Sequence, residues 1–151
     1  MVKLGAIMTD KRATRRGTTL MEVAVVSTII GILAAMSAPS FQRAMEQSRA
    51  DLAGANLRAI WSAERLYWLE YRTYTTDLSL LQSLGLIDTS IISSQAFYVY
   101  QVSSSGANNF TATATRALNA RWNGTLSIDD TGLTSGELTS TGDLPIAPNY
   151  Q

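Results

Sequence analysis

The chain has 151 residues, enough for one small domain with short flanking segments. Its formal net charge is zero, but five of the twelve basic residues precede Thr18, and the remainder carries seven arginines against eleven acids. That acidic balance, with no clustered basic patch, argues against nucleic-acid binding. The same part contains no His, Cys or Lys, the usual general bases and nucleophiles, so we expect neither enzymatic activity nor a cofactor.

A basic leader opens the chain. Residues 1–17 end in Arg15, Arg16 and Gly17, and an uncharged run of 19 residues follows over positions 23–41. As a helix rising about 1.5 Å per residue, this run would extend roughly 28 Å, close to the ~30 Å hydrocarbon thickness of a bilayer. Basic residues stay on the cytoplasmic side, so we expect a single membrane span with a cytoplasmic N-terminus and an exported remainder.

Glu22 stands at the head of the uncharged run. An ionised carboxylate entering a bilayer costs a few kcal/mol by insertion scales, so an acid at this depth is a functional candidate that needs a positive partner. The alternative is a plain single-pass anchor in which Glu22 only snorkels to the cytoplasmic interface.

The helical pattern continues beyond the uncharged run to about Arg72. Gly31 and Pro39 are the weak points, because glycine has low helix propensity and proline removes a backbone donor. We expect a bend or loosening at these two positions without an end of the helix.

The second half of this helix is amphipathic. An apolar stripe within about 140° of arc predicts a face that packs on a sheet, and it comprises Leu57, Ile60, Trp61, Tyr67, Trp68, Tyr71 and Tyr74. We interpret Trp61, Tyr67, Trp68 and Tyr71 as the core of the domain. The charges of the same stretch, which include a Glu46–Arg49 pair at i,i+3, are interpreted mostly as a solvated face: Arg43, Glu46, Arg49, Asp51, Arg58, Glu64, Arg65, Glu70 and Arg72.

Residues 73–87 predict a short second helix, capped near Asp77 and closed by Gly85. Strand-type residues then occupy positions 96–103, 110–117 and 124–129, which predicts a three-stranded antiparallel meander. The tail from residue 131 onward is rich in Gly, Ser, Thr and Pro and is expected to be loop, with room for a short edge strand. The predicted fold class is α+β, with the long helix covering one face of a small antiparallel sheet.

The segment Arg15-Arg16-Gly17-Thr18-Thr19-Leu20-Met21-Glu22, with the uncharged run behind it, resembles the N-terminus of type IV prepilins and type II secretion pseudopilins. The resemblance implies cleavage by a prepilin peptidase after Gly17 and N-methylation of Thr18, where the family usually has Phe. It also implies that Glu22 pairs with the terminal amine of a neighbouring subunit during assembly. Gly31 and Pro39 match the helix-weakening positions of the family.

The resemblance divides the chain into a leader at 1–17, a membrane and filament-core helix at 18–41, and a pilin-like head at 42–151. It implies a subunit of a type IV pilus, held in the bacterial inner membrane before it enters an extracellular or periplasmic filament. The implied partners are further copies of the chain, the prepilin peptidase and an inner-membrane assembly platform. A secretion pseudopilin and a non-polymerising membrane-anchored or exported domain are the alternatives.

Two further patterns have competing interpretations. The arginine pair also resembles a twin-arginine export signal, with a small-residue cleavage site at 35–37 that would release a soluble domain. Asp129 and Asp130 are weak candidates for calcium, although adjacent acids in such a turn are more often plain turn residues. As neighbours in a strand they point to opposite faces, so they are poorly placed for acid–base hydrolysis.

Overall fold

The computed structural model describes residues 19–93, 97–104, 107–117 and 121–148. These residues belong to two compact units, the first ending at Pro39 and the second beginning at Ser40.

Helix α1 (Leu20–Tyr71) is 52 residues long, as the continuous helical pattern predicted. The Thr19 hydroxyl accepts a hydrogen bond from the Glu22 N–H at 3.2 Å, which satisfies one of the free donors of the first turn. At the other end, Arg72 adopts a left-handed φ of 55° while its N–H bonds to the carbonyl of Trp68. A residue in this conformation just past the last turn terminates a helix.

In the first unit the helix presents its side chains to the exterior on all sides. Two of its hydroxyl groups donate back to helix carbonyls, Thr28 to Ala24 and Ser37 to Leu33. Such bonds satisfy a polar side chain without a partner outside the helix. Pro39 lies inside the helix as assigned, so the chain remains helical through the last residue of this unit.

Two short helices follow in the second unit. Helix α2 (Leu78–Ser83) was predicted, and the Asp77 carboxylate caps it by accepting from the first free backbone N–H groups at 2.8 and 3.3 Å. Gly85, at φ 71°, lies just beyond it. Helix α3 (Thr89–Ser93) was not predicted; Asp88 accepts a hydrogen bond from a first-turn N–H in the same manner, at 2.7 Å.

The sheet is antiparallel and runs in the order β1-β2-β3-β4, with β5 also paired to β3. The three predicted strands are confirmed as β1 (Tyr98–Ser104), β2 (Phe110–Arg116) and β3 (Trp122–Asp129), with bounds shifted by up to two residues. The tail contains two short strands, β4 (Thr134–Ser135) and β5 (Leu138–Ser140), where one was allowed for.

Both tail strands pair with β3 in one continuous register, because residues 134–140 run antiparallel beside residues 128–122, with Gly136 between the two strands. Gly136 has a φ of 93°, and a Cβ there would lie 2.1 Å from the carbonyl oxygen of Thr125. Only glycine permits this conformation and this approach of two backbone segments.

The core lies between the second half of α1 and the sheet. The buried row of the helix advances by four and three residues in turn, through Glu46, Ala50, Ala53, Leu57, Ile60 and Glu64. Side chains on one face of the sheet pack in the same cluster, among them Tyr98, Tyr100, Phe110, Ala112, Ala114, Leu126 and Ile128. The predicted α+β architecture, a long helix on an antiparallel sheet, is therefore confirmed.

The aromatic residues occupy a different place from the one expected. Trp61 and Tyr67 are half-buried and pack against the core, and Trp68 is also half-buried. Tyr71 is 53% exposed, so its assignment to the core was wrong. It is the last residue of α1, and its ring stacks on Tyr67 at 4.5 Å between centroids. On the helix, the apolar residues that are buried against the sheet are alanine, leucine and isoleucine, at Ala50, Ala53, Leu57, Ile60 and Ala63.

Candidate functional site

Glu22 lies in the first turn of α1, with its backbone N–H held by Thr19. An acidic side chain here is favoured by the positive end of the helix dipole. The side chain is exposed, which leaves the carboxylate available to a positive group. Gly17 and Thr18, the expected cleavage and methylation positions, lie outside the described residues.

The helix beyond Glu22 displays apolar side chains on every face of the first unit. Most are half or more exposed: Val23, Val25, Ile29, Ile30, Ile32, Leu33 and Met36. This part of α1 is long and apolar enough to cross a membrane by length and composition. A helix that is apolar all round requires either lipid or other helices as its surroundings.

In the second unit, a buried ion pair joins α1 to the end of β2. Arg116 donates two hydrogen bonds to the Glu46 carboxylate, from Nε at 2.5 Å and from Nη2 at 3.0 Å. Its Nη1 donates to the carbonyls of Phe97 and Ala117 at 2.7 and 2.8 Å. Glu46 and Arg116 are 1% and 8% exposed, and Arg49 adds a further contact to Glu46 at 3.1 Å.

The interpretation of the α1 charges as a mostly solvated face was therefore wrong for two residues, Glu46 and Glu64. The error arose because Arg116, the partner of Glu46, is 70 residues away in the sequence and only the fold brings it close. A buried charge is tolerated when a partner satisfies it. The four-and-three spacing of the buried row does pass through both glutamates, and this was the signal that would have identified them.

No protein-family model matches the chain. A relative in Myxococcus xanthus (strain DK1622), the type IV major pilin protein PilA, is 38% identical over 60 residues. The match covers 40% of this chain and 27% of the relative, so it spans about a quarter of that protein's length. The observed fold, an apolar N-terminal helix whose second half packs on an antiparallel sheet, is the one that the pilin resemblance implied.

Over these 60 residues the chain is similar to a type IV pilin, and its described residues have the α+β, pilin-like architecture. The hydrophobic helix of the first unit is consistent with a membrane-anchored pilin. The Glu46–Arg116 pair is a contact inside the second unit, between the helix and the sheet.

Asp129 and Asp130 serve the turn after β3 in this pilin fold. One oxygen of Asp129 accepts hydrogen bonds from the Thr131 N–H, the Thr131 hydroxyl and the Leu133 N–H. The Thr131 hydroxyl, followed by these backbone groups, holds the pKa of Asp129 below its usual value. The Asp130 carbonyl accepts from the indole N–H of Trp61 at 3.0 Å. Among the described residues, no group of three His, Cys, Asp or Glu side chains is placed to hold a metal ion.

Proposed function

We propose that this chain is the structural subunit of a type IV pilus or pilus-like filament. The observation that carries the proposal is the first unit: a helix that is apolar on every face, entered by one acid, Glu22. Surroundings of lipid before assembly and of neighbouring helices afterwards would both satisfy such a surface.

Glu22 is the proposed assembly residue. After cleavage behind Gly17, the amine of Thr18 would be the terminal positive group, and its methylation would follow. The Glu22 of an incoming subunit would pair with that amine on a neighbour. Removing one partner of such a pair leaves an unpaired charge in a low-dielectric setting, which costs several kcal/mol.

Gly31 and Pro39 are proposed to let the apolar helix adjust when it moves from lipid into a fibre. A Cβ at Gly31 would meet nothing within 4 Å, so packing inside the subunit does not require a glycine there. Pro39 provides no backbone N–H to the helix it interrupts. Both residues therefore weaken the helix locally, which a bending role would use.

The direct test is to shear filaments from cells that express the chain, image them by electron microscopy and identify their subunit by mass spectrometry. We expect fibres built from this chain, and we expect Glu22→Ala to reduce their yield at least tenfold while the protein still accumulates in the membrane. Glu70→Ala, at an exposed acid on the head half of the same helix, is the matched control and leaves the yield unchanged.

Intact mass of the mature chain separates the alternatives. Cleavage behind Gly17 with one added methyl group supports the filament subunit, whereas a chain beginning after residues 35–37 is an exported soluble domain. A membrane-anchored chain that forms no fibre, or a Glu22→Ala variant that assembles normally, contradicts the proposal. Fibres confined to the periplasm identify the secretion pseudopilin instead of the surface pilus.

A further inference from the structure

A buried acid, Glu64, lies in the last third of α1 and has no part in the proposed assembly. Glu64 is fully buried, at 0% exposure. One oxygen, Oε2, accepts a hydrogen bond from the Thr75 N–H at 3.1 Å. The other, Oε1, has no hydrogen-bond partner among the described residues. A buried carboxylate with one acceptor oxygen left over is costly in its ionised form and much less costly when protonated.

Two basic residues close to Glu64 in the sequence have other positions, and no cation is among the causes that shift the pKa of Glu64. The guanidinium of Arg65 lies 5.5 Å from the centroid of the Trp61 ring, and that of Arg72 lies 4.9 Å from the Trp68 ring. Neither forms an ion pair with Glu64 in the described structure. The charge of an ionised Glu64 would therefore lack a nearby compensating cation.

Charged groups described on the surrounding segments have partners of their own. On the segment that covers Glu64, Asp77 caps α2 and Tyr74 stacks its ring on Phe110 at 4.7 Å. On the sheet, Arg116 is committed to Glu46, and Asp129 to Thr131. Burial is the main cause that raises the pKa of Glu64 from 4.5 to about 7, and the hydrogen bond from Thr75 lowers it by less.

Thr75 is the point at which the covering segment is tied to the helix. The segment leaves α1 through Arg72, whose positive φ makes a tight exit, and reaches Asp77 two residues after Thr75. The Thr75 hydroxyl accepts the Asp77 N–H at 3.1 Å, so the same residue connects the Glu64 contact to the cap of α2. A change in the charge of Glu64 acts directly on this attachment, whereas the second contact of the segment with α1, the Tyr74 ring stacked on Trp68 at 6.4 Å between centroids, carries no charge.

We propose that Glu64 is a proton-operated latch that holds residues 73–77 against the helix when its carboxyl is protonated and loosens them when it ionises. An ionised carboxylate accepts the Thr75 hydrogen bond more strongly at Oε2, but its buried Oε1 stays without a partner until the covering segment moves away and water reaches it, and burial is the larger of the two effects. The inference is independent of filament assembly, since it concerns contacts within one head.

The direction in which stability changes with pH follows from the pKa of Glu64 in the unfolded chain and in the folded chain. Below the ordinary value of 4.5 the carboxyl is protonated in both the folded and the unfolded chain, so it makes no difference to stability. As the pH rises towards about 7, the unfolded chain ionises while the folded one stays protonated, and the head loses stability. Above that value the latch is open. The device therefore closes in mildly acidic surroundings and opens in alkaline ones.

The test uses the full chain in detergent micelles with ¹³C-labelled glutamate carboxyl groups. We expect one carboxyl to titrate near pH 7 in the wild type and this signal to be missing in Glu64→Gln, whose side chain has nearly the same shape and no charge. Glu70→Gln, at an exposed position of the same helix, keeps the signal. The second readout is the hydrogen-exchange protection factor of the Thr75 amide at pH 5 and at pH 8.5.

Between these two pH values, the protection factor of the Thr75 amide in the wild type should fall at least tenfold, since one pKa unit corresponds to a factor of ten, and Glu64→Gln should show no such fall. The proposal is overturned if the Glu64 carboxyl titrates near its ordinary pKa, or if Thr75 protection is the same at both values. Both measurements are made on the wild type itself, so they remain decisive even if Glu64→Gln fails to fold. Failure of this test leaves the filament proposal unaffected, because that proposal rests on Glu22.

Discussion

Side chains of the same type differ in solvent exposure between the two units of this chain. In the first unit, Ile30 and its apolar neighbours are half or more exposed, whereas in the second unit Leu57 is almost completely buried against the sheet. The acids show the opposite pattern: over residues 19–39 of the first unit the one acid, Glu22, is exposed, whereas the second unit buries Glu46 and Glu64. One helix thus contains an apolar surface that needs an external partner and a packed face that has its partner within the fold.

The largest expected effect is on the buried ion pair of the second unit. Glu46→Ala should lower the free energy of unfolding by about 3–5 kcal/mol, because Arg116 is left buried and uncompensated. Chemical unfolding of the full chain in detergent, followed by circular dichroism, measures the loss. Glu70→Ala, which removes an exposed acid from the same helix, is the control.

A double variant refines this prediction. Glu46→Leu combined with Arg116→Met should recover most of the lost stability, since replacing both members of a buried pair by apolar side chains is often neutral. An equal loss in Glu46→Ala and Glu70→Ala would show that the pair does not join the helix to the sheet.

The next largest loss of stability is expected for a buried leucine on α1, with an exposed leucine of the same helix as its control. Leu57→Ala should destabilise the head by about 2–5 kcal/mol, because it removes a side chain that is 1% exposed and leaves a cavity. Leu52→Ala, at a leucine that is 61% exposed five residues earlier, should change the stability of the head by less than about 0.5 kcal/mol. Equal midpoints of thermal unfolding for the two variants would contradict the observed orientation of the helix.

A smaller loss, about 1–3 kcal/mol, is expected for Gly136→Ala, because its Cβ would meet the Thr125 carbonyl and its φ is positive. Gly142→Ala is the matched control: its φ of 88° is similar, but a Cβ there meets nothing within 4 Å. The difference between the two midpoints of unfolding isolates the steric contact from the backbone strain. If Gly142→Ala were the more destabilising of the two, the close pairing of both tail strands with β3 would be wrong.

The smallest effect is expected in the first unit. Ile30→Ala should leave the unfolding midpoint of the head unchanged, because this side chain is 60% exposed and has no part in the core cluster. Its effect should instead appear in the yield of sheared fibres, where the side chain would be buried between subunits. A shift in the unfolding midpoint comparable with that of Leu57→Ala would remove the distinction between the two units.

The elements with strong local signals were predictable from the sequence. The helix was visible because its periodicity and apolar run persist over many turns, and the three main strands because β-branched and aromatic residues alternate between turn residues. Helix α3 and strand β4 were missed because they have only five and two residues, too few for a periodic pattern.

Whether a given side chain is buried in the core was harder to predict from the sequence. Tyr71 has the angular position of a core residue, but it is the last residue of α1 and remains exposed. Glutamate is usually found at the surface, yet Glu46 is buried and accepts a hydrogen bond from Arg116 at the end of β2. The partner of Glu46 is distant in sequence, so periodicity along one helix does not reveal it.

By itself, the sequence determined the class of this protein: a bilayer-length apolar helix with one acid at its head, followed by a small α+β domain. These properties depend on residues close together in the chain, whose spacing and hydrophobicity act locally. Only the tertiary structure decided which charges are buried, since the desolvation of Glu46 and Glu64 depends on the sheet and the covering segment that fold over them.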